Sequence, residues 1–161
     1  MCYIYLRETH NLRKYPALRA QWNSELVWHF PEEVPKSATL KKFSYAPGFL
    51  QGGAHIQLRL SLPQEEIRDL YQYFSEKSTK SFLGGGNTNH HMNVKDGMPT
   101  TFYKTGEKGQ SSFPDDFEIM IFDTVWPESE RPDGHYWNHG RSHGIAISKV
   151  RNEIIYWAET W

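Results

Sequence analysis

The chain has 161 residues, a formal net charge of −1 and a mean hydropathy of −0.71. That length suits one domain with a core of its own and is too short for two; the balanced charge, with no long run of either sign, argues against a nucleic-acid binder working through bulk electrostatics. The single cysteine, Cys2, excludes an intramolecular disulfide, and no run of about eighteen apolar residues is present to cross a bilayer.

Six tryptophans, nine tyrosines and nine phenylalanines offset a thin aliphatic complement, because each aromatic ring buries a large area. The first six residues, Met1-Cys2-Tyr3-Ile4-Tyr5-Leu6, are apolar and aromatic, and Arg7, Arg13, Lys14 and Arg19 follow them. In the plain reading, residues 1–25 are a peripheral N-terminal segment, with Leu12, Tyr15 and Leu18 or Arg19 along one side of a short helix. The same residues also read as the tail of a membrane anchor, with Cys2 as a lipid-attachment site. A segment upstream of Met1 would then hold the domain at a membrane or cell envelope; the chain as it stands, with no signal-peptide core, reads as cytoplasmic.

Leu26-Val27-Trp28-His29-Phe30, closed by Pro31 and Pro35, reads as a short strand or an extended segment on the core, and Leu40 to Tyr45 as another strand. Residues 55–62 alternate strictly. Ile56, Leu58, Leu60 and Leu62 take one face, and His55, Gln57, Arg59 and Ser61 the other, which predicts a half-buried strand of an antiparallel sheet. Ser61-x-x-Gln64 fits a capping box, Pro63 a helix start, and Ile67, Leu70, Tyr71 and Phe74 an apolar stripe, so a helix is predicted over about 63–77. Residues 79–114 read as a long loop or irregular region, with Met98 to Lys104 as a strand candidate inside it. Phe117 to Trp126 reads as a central strand covered on both faces, and 144–149 with 153–158 as a hairpin turning at Val150-Arg151-Asn152. The resulting class is α+β: one domain over residues 1–161, an antiparallel sheet of about five strands, and one main helix on one face.

The densest group of reactive side chains is His135, His139 and His143, spaced four apart within Gly134 to Gly144. Histidine ligates metals and transfers protons near neutral pH. Gly134, Asn138, Gly140 and Gly144 make a helix there improbable, and along a strand positions four apart stand about 13 Å from each other. Only a looped segment brings these histidines onto one metal ion, and no His-Glu-x-x-His motif supports one. Asp123, near the end of the central strand, is placed to orient His143 from the neighbouring hairpin, with His139 beside it; Ser142 and Ser148 are the nucleophile candidates, and no Gly-x-Ser-x-Gly elbow frames either. Gly84-Gly85-Gly86 lacks the Gly-Lys-Ser/Thr of a phosphate loop, and there is no dinucleotide fingerprint, so no cofactor is expected.

A second group is the polar strand face of His55, Gln57 and Arg59, expected to join Tyr136, Trp137 and Trp157 in a contact surface rich in aromatics and a guanidinium. Two functional readings stand. The leading one is a non-catalytic binding domain for a protein, peptide or sugar ligand; the alternative is a metal-dependent or histidine-assisted hydrolase using His135, His139 and His143. On the first, Leu58→Ala is costly while Gln57→Ala costs little.

Overall fold

The alternation of residues 55–62 becomes the strand on which the sheet is organised. In the computed structural model, which describes residues 7–48, 53–86, 88–89, 92–93, 98–99, 101–125 and 140–161, the strands are β1 (Leu40–Ala46), β2 (Ala54–Ser61), β3 (Lys80–Leu83), β4 (Thr88–Asn89), β5 (Met92–Asn93), β6 (Met98–Pro99), β7 (Glu118–Val125), β8 (Arg141–Ser148) and β9 (Glu153–Thr160). The helices are α1 (Tyr15–Gln21), entered through a 3-10 turn at Leu12–Lys14, then α2 (Ser24–Val27) and α3 (Gln64–Ser75). The main sheet is antiparallel throughout, in the order β1-β2-β9-β8-β7-β3, and β4-β5-β6 form a small second sheet. The class is α+β as the sequence implies, with six strands rather than five. The additional strand, β3, lies at the start of the stretch read as a loop. It is a four-residue edge strand without apolar alternation, so its pairing with β7 leaves no periodic trace.

Two local expectations are corrected. Residues 26–30 do not form a strand: Asn23 caps a one-turn helix by accepting a hydrogen bond from Glu25 N–H at 2.9 Å, and α2 follows. Ser61 does not cap α3, because it is still paired within the sheet to Leu40 and Glu153. Pro63 is the N-cap instead, and Glu65 and Glu66 face the positive helix end.

The sheet has two covered faces. On one, Ile56, Leu58, Leu60, Met120, Phe122, Ile145, Ile147, Ile154 and Tyr156 pack beneath the helices, with Ile67 and Phe74 supplied by α3. On the other, Ile119, Ile121, Ala146, Ile155 and Trp157 pack beneath Tyr103, Phe113 and Phe117 of the segment that precedes β7. The central position of β7, buried on both faces, agrees with its apolar sequence. Gly144 in β8 makes the second face possible, since a Cβ there would meet Met120 O and the Trp157 indole. The β8–β9 hairpin turns where expected, with Asn152 in the left-handed region at φ 54°. Among the described residues, no helix is long and apolar enough to cross a membrane.

Candidate functional site

The corner where α2 meets β7, β8 and β9 gathers two buried histidines whose hydrogen-bonding capacity is only half met among the described residues. A strand would send Trp28 and His29 to opposite sides, whereas the end of a helical turn lets consecutive side chains land on one neighbouring surface. α2 packs on β8 and β9. His29 thereby reaches Trp157 O at 3.2 Å through Nε2, and its ring lies 5.4 Å from that of His143. Trp28 donates from Nε1 to His143 Nε2 at 3.3 Å. Phe122 packs against all three, its ring centroid 4.9 Å from Trp28, 5.1 Å from His29 and 5.9 Å from His143.

These partners dictate the tautomers. A carbonyl only accepts, so His29 carries its proton on Nε2 and leaves a lone pair on Nδ1. An indole N–H only donates, so neutral His143 accepts at Nε2 and carries its proton on Nδ1. Both Nδ1 atoms are buried without a hydrogen-bond partner among the described residues. One is an acceptor and the other a donor, so a single hydroxyl group would suit both. Burial holds His29 well below the ordinary imidazole range, with the neighbouring His143 adding to the effect and the Trp157 and Gly144 carbonyls opposing it. Burial also lowers His143; the Asp123 carboxylate pulls the other way and Arg141 reinforces the drop. Both rings are therefore neutral at pH 7.

Asp123 is exposed and stands opposite His143 in the β7–β8 register, just past a bulge between Ile121 and Asp123. That bulge re-aims the end of β7 so that Asp123 accompanies His143. Two of the sequence-derived candidates are thus brought together. Ser142 neighbours His143 in the strand and so turns to the opposite face, and Ser148 donates to Asp116 at 2.7 Å. His135, His139, Tyr136 and Trp137 lie outside the described residues. No group of three or more metal-ligating side chains occurs among the described residues.

The polar face of β2 lies elsewhere, and it is covered. Gln57 Oε1 accepts from Thr105 N and Thr105 Oγ1, both at 2.9 Å, and its Nε2 donates to Phe102 O at 3.0 Å. Arg59 forms two bonds to Glu153, at 2.9 and 3.1 Å, and a third to Thr105 O at 3.1 Å, beneath the Tyr103 ring. His55 is buried with Nε2 2.9 Å from Ser44 Oγ, and Trp157 is fully buried. Trp28 and His29 are the members of the corner that the sequence reading did not single out; the cap signal Asn23-Ser24-Glu25 was the available clue. No family model, curated protein or solved structure matches this chain.

Proposed function

We propose that the chain is a non-catalytic binding domain whose contact surface centres on Trp28 at the α2–β8 corner, rather than on the covered face of β2. The observation that carries this reading is Trp28 itself. Its indole N–H is fixed on a buried neutral imidazole, and 41% of the residue is left exposed. An anchored, half-open tryptophan has the large area and low ordering cost of an interface anchor. Asp123 and Arg141 set opposite charges beside the His143 that Trp28 bonds. The ligand class is a hydroxyl-bearing sugar, or a peptide or protein segment.

A second reading, histidine-assisted hydrolysis by His143 with Asp123, His139 and His135, draws on the register pairing of Asp123 with His143. Weighing against it are the depressed proton affinity of His143 and the lack of any serine or cysteine hydrogen-bonded to it among the described residues. The test is binding to immobilised glycan and peptide libraries, comparing the native chain with Trp28→Ala and, as a control, Tyr73→Ala at another exposed aromatic. Ligands lost in Trp28→Ala and kept in Tyr73→Ala support the domain as described; ligands indifferent to Trp28 overturn it. Turnover of an ester or peptide library that disappears in His143→Ala would establish the hydrolase instead.

A further inference from the structure

Away from that corner, the free edge of β1 opens into a cavity of about 300 Å³ lined by His10, Lys41, Lys42, Phe43, Lys104, Thr105 and Gly106. Lysines from two separate segments, Lys41 and Lys42 of β1 and Lys104 of the stretch before β7, line one small space, and the alternation of β1 puts the Lys42 side chain on the face that Lys104 covers. The bland account is that edge lysines guard a strand against pairing with another chain. It covers Lys41 and Lys42, but not Lys104, which arrives from the segment covering the other face of the sheet.

The edge is also partly capped already. Thr9 pairs with Tyr45 through bonds of 2.9 and 3.0 Å, and a His10 ring nitrogen, Nδ1, lies 3.0 Å from Phe43 O and donates to it. Alternation along the strand turns the Phe43 N–H outward as well, toward the cavity. A backbone donor thus sits among the lysines.

The acidic groups near this wall are few and peripheral. Glu107 bonds Lys42 at 2.7 Å and lies 3.6 Å from Arg59, and Glu8 lies 3.6 Å from His10. Glu107 is exposed, so a stronger anion can displace it from Lys42. The positive field extends inward: after burial, the charges of Lys104 and His10 are what lower His55, to about 4.

We propose that this cleft binds a small phosphorylated compound, its phosphate oxygens taken by Lys42, Lys104 and the Phe43 N–H. Lysine without an arginine fork acts as a point charge, which suits a tetrahedral phosphate of two or more charges better than a planar carboxylate. The cavity has the lower-end volume of a small-molecule site. It is a small, open pocket rather than an extended basic stripe, which favours a compact anion over a polymer.

The experiment is titration calorimetry of the full chain with inorganic pyrophosphate at low ionic strength, together with the Phe43 amide shift by NMR. Saturable one-to-one binding that moves the Phe43 amide is expected. The pair Lys42→Ala/Lys104→Ala should weaken it roughly tenfold, whereas Glu107→Gln should tighten it by removing the competing carboxylate. No saturable binding, or binding unaffected by both the lysine pair and Glu107→Gln, overturns the proposal. Unchanged anion affinity with faster self-association of the lysine variant would reduce the lysines to guards of the strand edge and overturn it equally.

Discussion

The two faces of the sheet bury polar groups of different kinds. Beneath residues 101–117, a glutamine and an arginine are buried and every major donor on them is paired: Gln57 to Thr105 and Phe102, Arg59 to Glu153 and Thr105. Beneath the helices, the face is dominated by rings and aliphatic side chains, yet two imidazoles leave a nitrogen each without a partner among the described residues. The polar side chains of β2 are thus spent on cohesion, with only the Tyr103 hydroxyl and the Trp157 indole N–H beside them lacking a partner among the described residues of that cluster, while the face that looks like plain core holds two imidazoles with unmet capacity. Polarity alone does not mark a site; unmet hydrogen-bonding capacity beside an exposed side chain is the sharper sign.

The largest expected effect tests the cohesive face. Arg59→Ala strands Glu153, whose side chain is 9% exposed, and should cost about 3–5 kcal/mol in urea unfolding. Arg59→Met/Glu153→Leu should recover most of that loss, because it removes both charges together. A cost under about 1 kcal/mol for Arg59→Ala would show that the pair is solvated and that the two faces do not differ in this way.

Next comes the strand both faces share. Leu58 is fully buried, so Leu58→Ala should cost about 2–5 kcal/mol. Gln57→Ala, inexpensive for a solvated strand face, should here cost about 1–3 kcal/mol, because it removes the buried acceptor of the Thr105 N–H and hydroxyl. Near-neutral Gln57→Ala would put solvent on that face after all.

The histidines give a pH dependence whose sign is fixed by the direction of their shifts. His29, His55 and His143 all bind protons less readily in the folded chain than their ordinary value of 6.5. The unfolded chain therefore takes up more protons below that value. Their contribution is fully present above pH 6.5 and is lost as pH falls toward the folded values. For His55, with a folded value of about 4, the complete loss is about 3 kcal/mol. Urea midpoints should hold steady from pH 8 to 7 and drop between pH 6.5 and 4, and His55→Gln should shrink that drop. A flat profile across the interval refutes the burial of these rings.

Much of this arrangement is legible without coordinates. Strict alternation announces β2, a four-residue apolar stripe announces α3, and Asn152 in a polar break marks the β8–β9 turn. Asp123 and His143 are recognisable as a pair because each sits near the end of a strand with a clear pattern. The pairing of Gln57 and Arg59 is not legible, since their partners at 102–105 lie in a stretch without periodicity and Glu153 is far along the chain. Nor are Trp28 and His29: a five-residue apolar run satisfies a strand and a helical turn equally, and only the Asn23 cap decides between them.

The smallest effect separates the two faces most finely. Trp28→Phe keeps the ring packing against Phe122 and Phe74, at 4.9 and 6.3 Å, and removes only the indole N–H that His143 accepts at 3.3 Å. The loss should be about 0.5–1.5 kcal/mol, well below that of Arg59→Ala, because a neutral imidazole can move its proton to the other nitrogen at little cost whereas a stranded buried carboxylate must either stay charged or take up a proton from solvent. The imidazole nitrogen shifts of His143 report this directly: the native chain should show the Nδ1–H tautomer, and Trp28→Phe a gain of Nε2–H. Identical nitrogen shifts in the two chains would mean that Trp28 does not set the state of His143, and the tryptophan would then be a surface residue with no tie to the buried pair.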